Sequence, residues 1–342
     1  MLETLTISTW TLALLIAVAL AFDFMNGFHD GANSISTIVA TGALTPRQAV
    51  AFAAFFNFVA IWVFHLKVAA TIGKGTVDPH FVDHYVIFGA LCGALAWNII
   101  TWYYGIPSSS SHALIGGLVG ATVANAGSIA PIIWSGFGKI LIFIIISPLV
   151  GFAIGGLLMV ATAWAFRNSS PYQAGRWFSK AQLVAAAAYS LGHGGNDSQK
   201  TIGIIWLLLI SAGAATTDVN TLPNWVIYSC YFAIAWGTYV GGWRIVKTMG
   251  SKITKLTPVS GSCASMGGAL SLALATLGGI PVSTTHTITG AIVGVGTAQD
   301  VKAVRWGVTM NLVVAWVLTI PAAGLMSALF WLIGRNFLSG VQ

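Results

Sequence analysis

Seven uninterrupted apolar runs, at about 10–28, 48–66, 84–104, 137–165, 224–243, 257–278 and 306–334, decide what this chain can fold into. A membrane-crossing helix needs roughly 20 apolar residues, whereas a barrel strand needs only about 10. In hydrocarbon the backbone must satisfy its own polar groups, so continuous runs of this length become helices. The charge content agrees: 7% of residues are Asp, Glu, Lys or Arg, against roughly a quarter in a soluble domain. The expected fold class is an all-α polytopic membrane protein. Four more apolar stretches, at 31–43, 107–126, 181–212 and 283–298, are interrupted by Gly, Ser, Asn or charge. They read as broken helices or re-entrant helical hairpins and bring the total to about 10–12 membrane segments. The first run follows Glu3 and leads into Asp23 and Asp30 rather than a small-residue cleavage site, which marks a retained span and not a signal peptide.

Inside this apolar frame one phrase is written twice. Gly105-Ile106-Pro107-Ser108-Ser109-Ser110-Ser111-His112 returns 174 residues later as Gly279-Ile280-Pro281-Val282-Ser283-Thr284-Thr285-His286. The likeness continues through Gly116 and Gly290, Val119 and Val293, and Gly120 and Gly294, giving 8 identities in 16 positions. A second pair of polar stretches, His29 to Thr37 and His193 to Thr201, aligns with His29 on His193 and Asn33 on Asp197. The break in the second stretch is expected at Gly192 to Asp197.

The basic residues set the expected orientation. By the positive-inside rule the groups Arg167/Arg176/Lys180, Arg244/Lys247/Lys252/Lys255 and Lys302/Arg305 are cytoplasmic. Five crossings per half then place ten Lys and Arg inside and four outside, with both chain termini outside. Residues 1–166 form a first repeat, 167–180 a basic cytoplasmic linker, and 181–342 a second repeat inverted relative to the first. Inverted halves with broken helices are the pattern of secondary transporters, whose substrate lies near the midplane. The net charge of +7 is explained by these loops, without nucleic acid as a partner. No Gly-rich phosphate loop ending in Gly-Lys-Ser/Thr is present, and the linker is too short for a nucleotide domain, which argues against a pump. Cys92, Cys230 and Cys263 lie in apolar spans without metal spacing and read as packing residues. The Trp and Gly faces leave a homodimer open.

Buried polar residues are expensive in a bilayer, where a charge at the centre costs on the order of 2.5–3.5 kcal/mol on insertion scales. Asp30, Asn33, Asn196 and Asp197 therefore need compensation, and Na⁺ or a proton is the natural source. The hydroxyls of Ser108, Ser109, Ser110 and Ser111, and of Ser283, Thr284 and Thr285, follow a proline suited to the first turn of a helix. Two helix N-termini meeting from opposite faces would suit a tetrahedral oxyanion. His29, His193, Gln199 and Lys200 are accessory candidates, Lys200 either as an anion contact or as a counter-ion to Asp197. No catalytic residue and no cofactor is expected. An intramembrane serine hydrolase is disfavoured because Ser111 and His112 are adjacent on a helix and diverge; an anion channel is the other competing class.

The strings Asn26-Gly27-Phe28-His29-Asp30-Gly31-Ala32-Asn33 and His193-Gly194-Gly195-Asn196-Asp197-Ser198-Gln199-Lys200-Thr201-Ile202-Gly203, with both Gly-Ile-Pro phrases, resemble the inorganic phosphate transporter (PiT) family. The resemblance covers nearly the whole chain. It implies two inverted repeats with re-entrant hairpins and symport of phosphate with Na⁺ or H⁺, in some bacterial members as a complex with a divalent metal. It also implies cation ligands at Asp30, Asn33, Asn196 and Asp197, and phosphate ligands at residues 108–111 and 283–285. Ser34 stands where many members carry another small residue or Asp. The short connection between halves implies a prokaryotic inner-membrane protein, and sulfate remains an alternative substrate.

Overall fold

The computed structural model describes residues 8–338, so Glu3 and the two chain termini lie outside the described residues. The described chain is helical: α1 (Thr9–Ala40), α2 (Pro46–Val59), α3 (Lys67–Gly75), α4 (His84–Tyr104), α5 (Ser110–Ala126), α6 (Trp134–Ala165), α7 (Pro171–Ser211), α8 (Asn224–Val240), α9 (Trp243–Lys247), α10 (Pro258–Leu277), α11 (Thr284–Gln299) and α12 (Trp306–Leu338). Local chemistry sets many of the starts. Pro46, Pro171 and Pro258 occupy first-turn positions, where a missing N–H costs nothing. Ser8, Asp83 and Ser170 accept backbone N–H groups as caps of α1, α4 and α7. Rows of Ile, Leu and Val on α6 and α12, such as Ile142, Ile145, Leu149, Val314, Val317 and Leu325, face outward and fit a lipid-exposed surface.

Two expectations about breaks are corrected. α1 runs unbroken for 32 residues through the 31–43 stretch as far as Ala40, and α7 runs unbroken for 41 residues through Gly192 to Asp197. Asn33, Asn196 and Lys200 bond to groups on neighbouring helices, and the backbone stays helical through both polar stretches. Gly194 instead admits the backbone of Asn57, and Gly195 admits the ring of Phe64, each where a Cβ would collide. The basic stretch at 167–180 is also helical from Pro171 onward, being the first turns of α7. The real interruptions lie elsewhere: α2 with its following 3₁₀ turn meets α3 at a bend of 84°, and both Gly-Ile-Pro phrases separate paired helices.

Those two phrases adopt the same turn. Gly105 and Gly279 have φ of 65° and 68°, left-handed values that a side chain would resist. The next residue closes each helix end alike, Ile106 N–H donating to Thr101 O at 2.8 Å and Ile280 N–H to Ala275 O at 2.9 Å. Ser109 and Ser283 then cap α5 and α11, each accepting from the histidine N–H three residues on, at 3.2 Å. The result is two helical hairpins, α4–α5 and α10–α11, with buried tips.

The duplicated glycines seat these hairpins. Gly116 and Gly120 press against the backbone of Ile320 and Gly324 in α12, while Gly290 and Gly294 press against that of Pro148 and Phe152 in α6. Both receiving helices carry an internal proline, Pro148 and Pro321. Each hairpin thus packs on the last helix of the other half. Helices α1 and α7 run antiparallel through the centre, tied by Thr201 to Asp23 and by Thr41 to Gln182, both at 2.9 Å. One apolar cluster gathers α4–α5 around the first half of α1 and the second half of α7. The other gathers α10–α11 around the opposite halves, and the tips fall between the two clusters.

Candidate substrate and cation site

The tips meet. Thr285 Oγ1 donates to Ser108 O at 3.1 Å, and the rings of His112 and His286 lie 4.7 Å apart. Trp316 of α12 fixes the junction, stacking on His286 at 4.0 Å and donating its indole N–H to Pro107 O at 3.1 Å. Tyr189 of α7 donates its hydroxyl to Thr284 O at 2.9 Å. The N-terminal turns of α5 and α11 therefore converge, and their first N–H groups have no partner within the helix.

The acidic residues of α1 and α7 face this junction. Asp30 and Asp197 are fully buried, and one ligand atom each from Asp30, His193 and Asp197 fall within 4.8 Å of one another. Two unit charges at 4.8 Å repel by about 3 kcal/mol at an effective dielectric of 20. Among the described residues Lys200 is the cation that bonds to one of these acids. Lys200 Nζ donates to Asp197 Oδ1 at 2.5 Å, to Ser111 Oγ at 2.5 Å and to Val282 O at 2.7 Å. An ammonium has three protons to donate, and all three are used.

Asp197 is well supplied beyond Lys200. Thr284 Oγ1 donates to its Oδ2 at 3.1 Å, Ser111 Oγ approaches Oδ1 at 3.5 Å, and His193 Nε2 stands 3.3 Å from Oδ2. Asp30 is supplied only on one side. Its Oδ1 lies 2.7 Å from His29 Nδ1, with His29 held in turn by Thr101 Oγ1 at 3.1 Å. Asp30 Oδ2 and Asn33 Oδ1 have no hydrogen-bond partner among the described residues. Asn33 Nδ2 donates to Thr285 Oγ1 at 2.9 Å and Thr284 Oγ1 at 3.4 Å. The unpartnered oxygens suit a hard cation such as Na⁺, which takes oxygen ligands.

The other expected residues divide by role. Asn196 fastens the second hairpin: its Nδ2 donates to Thr276 Oγ1 and Ile280 O, and its Oδ1 accepts from Val282 N–H. Ser109 and Ser283 serve as caps, and Ser108 Oγ donates to Thr101 Oγ1 at 3.0 Å. Ser110 Oγ is buried at the junction without a partner among the described residues. Gln199 is turned away, its Oε1 accepting the N–H groups of Val68 and Ala69 at the start of α3. His193 Nδ1 is 3.2 Å from Asn57 Oδ1. Thr101, Asn57 and Trp316 were not singled out from the sequence. Asn57 could have been, since a lone amide within an apolar run needs a partner. Asp23, one side of the same face of α1, is fully buried and bonded to Thr201, and its Oδ2 is unpartnered among the described residues.

Two buried hairpin tips that meet beside acidic residues, in a bundle with outward-facing apolar helices, have the form of a membrane transport protein with an internal polar site. The match to known proteins is specific. The phosphate transporter family model matches residues 26–177 and 167–327, and the chain belongs to that family. A protein of Rhizobium meliloti (strain 1021), described as "Probable low-affinity inorganic phosphate transporter", is 58% identical over 92% of this chain and 94% of the relative. One of Bacillus subtilis (strain 168) with the same description is 45% identical over 94% of this chain and 96% of the relative. A solved structure, "The sodium-dependent phosphate transporter", superposes with a TM-score of 0.85 at 25% identity, covering 96% of this chain and 100% of its own. The chain is an integral membrane transporter and not an enzyme. Lys200, with three donated hydrogen bonds, offers Ser111 no base.

Proposed function

We propose that this chain imports inorganic phosphate by symport with Na⁺, binding the anion between the two hairpin tips and exposing the site to each side of the membrane in turn. The observation that carries this reading is the convergence of two N-terminal helix turns, with Ser110, Ser111, Thr284 and Thr285, on a pair of buried carboxylates. Helix N-termini and hydroxyls donate to an oxyanion without any arginine. The carboxylates make the anion unwelcome unless a cation enters with it. That is the physical origin of coupling here: two carboxylates and one ammonium leave a net negative site, which phosphate alone would make worse.

Asp30 Oδ2 and Asn33 Oδ1 are the oxygens best placed to take the cation, and the sodium dependence in the name of the structural neighbour supports Na⁺ over H⁺. The duplicated hairpins, each seated on the far half, support two inverted repeats, 1–166 and 181–342, that rock against each other. Under that reading the termini are outside and the membrane is a prokaryotic inner membrane. A second reading, transport of phosphate as a neutral complex with a divalent metal, draws on the convergence of Asp30, His193 and Asp197.

Uptake of radiolabelled phosphate into proteoliposomes tests these readings, with a Na⁺ gradient, a pH gradient or Mg²⁺ imposed separately and excess sulfate as competitor. Accumulation driven by Na⁺ and resistant to sulfate is the expected result. Accumulation that follows Mg²⁺ with no gradient dependence on Na⁺ would favour the metal complex, and flow that never exceeds equilibrium would make the protein a channel.

A further inference from the structure

Asn33 and Lys200 occupy equivalent places in the two halves. Each lies three residues after its acid, and the same offset relates both pairs (197 − 30 = 167; 200 − 33 = 167). Each reaches the same position in the other half's tip: Asn33 Nδ2 bonds Thr285 Oγ1, and Lys200 Nζ bonds Ser111 Oγ (285 − 111 = 174). The carbonyls match as well. Val282 O accepts from Lys200, and its counterpart Ser108 O lies on the Asn33 side, accepting from Thr285 (282 − 108 = 174). Three correspondences hold together, and they follow the register with Asp30 on Asp197 rather than the one with His29 on His193.

The two places differ in one respect. On the α7 side an ammonium stands among a carboxylate, a hydroxyl and a backbone carbonyl, at 2.5, 2.5 and 2.7 Å. That is the oxygen set of a hard-cation site. On the α1 side an amide stands there, and Asp30 Oδ2 and Asn33 Oδ1 are left without a hydrogen-bond partner among the described residues.

We infer that Lys200 is a tethered cation that fills, beside Asp197, the place that an exchangeable cation takes beside Asp30, so that this chain carries one coupling cation fewer per phosphate than its two acidic sites would hold. The ammonium stays with the protein through the cycle. It neutralises Asp197 in every state and moves no net charge between solutions. This rests on the cation-coupled reading above.

Reversal potentials of phosphate flux in proteoliposomes, measured under combined Na⁺ and pH gradients, count the cations carried per phosphate. Lys200→Asn is expected to raise the count by one, by restoring an amide of the Asn33 kind. Asn33→Lys is expected to lower it by one, and the double swap Asn33→Lys/Lys200→Asn to return it to the wild-type value. A folded Lys200→Asn protein with the wild-type count would overturn the inference. Should that variant fail to reconstitute, Asn33→Lys decides alone, and its retention of the wild-type count has the same meaning. A wild-type flux that carries no cation under either gradient would remove the coupled reading and this inference with it; a coupled wild type with unaltered variants would remove only the inference.

Discussion

Asp30 and Asp197 take matching places on the two central helices, yet the protein provides for them differently. Asp197 receives Lys200 and Thr284, with Ser111 and His193 close by. Asp30 receives His29, and its second oxygen has no partner among the described residues. A buried carboxylate is tolerated when it is paired and hydrogen-bonded, and costly when it is not. Both oxygens of Asp197 therefore have partners within the protein, whereas Asp30 keeps one oxygen without a partner among the described residues, and the proposed cation would take it. The two acids thus sit in similar surroundings that differ in one residue, Lys200 on the α7 side and Asn33 on the α1 side.

That contrast is most exposed by removing each acid in turn. Asp197→Asn strands a buried ammonium, and breaking such a pair costs about 3–5 kcal/mol. The expected outcome is a large drop in thermal midpoint in detergent together with loss of uptake, and partial recovery of the midpoint, but not of uptake, in Asp197→Asn/Lys200→Met. Asp30→Asn should abolish coupled uptake with the midpoint kept. Equal destabilisation by both changes would erase the distinction.

Smaller effects are expected at the tips. Thr285→Ala removes the donor to Ser108 O and an acceptor of Asn33. Each buried group left unpaired costs about 1–3 kcal/mol of stability, so the thermal midpoint should fall, and KM for uptake should rise as well because the proposed phosphate site loses a hydroxyl. Ser110→Ala deletes a hydroxyl that has no partner among the described residues. Its stability should be unchanged while KM rises. Ser109→Ala should do the reverse, losing about 1 kcal/mol of stability as a missing helix cap with little change in KM. If Ser110 and Ser109 variants behaved alike, the division of the tip into substrate ligands and caps would be wrong.

Much of this was legible in the sequence because hydrocarbon punishes unsatisfied polar groups so heavily. The spans at 84–104, 137–165 and 257–278 fall close to α4, α6 and α10. The duplicated phrase marked the two tips, since its Gly, Pro and Ser each perform a fixed local task in turning a chain and starting a helix. The continuity of α1 and α7 was not legible. Glycines beside polar residues read as breaks, but Gly194 and Gly195 serve close approach of α2 and Phe64, and only the neighbours reveal that.

The mistaken break in turn concealed side-chain direction. On a continuous helix at 3.6 residues per turn, Gln199 points about 200° away from Asp197 while Lys200 and His193 share its face. Gln199 accordingly secures α3, and Lys200 reaches the site. The role of Asn196 was hidden for another reason: an amide that fastens a hairpin and an amide that binds a cation look the same in one dimension.

Phosphate is proposed to bind where the two tips meet. Arsenate shares the shape and charge of phosphate and scatters anomalously, so crystals of the protein grown in Na⁺ and soaked with arsenate locate the site directly. One dominant anomalous peak is expected within hydrogen-bonding reach of Ser110, Ser111, Thr284 and Thr285, weakened in Asp30→Asn. A dominant peak elsewhere, such as in the cleft lined by Lys139 and Thr71, with none between the tips, would contradict this assignment.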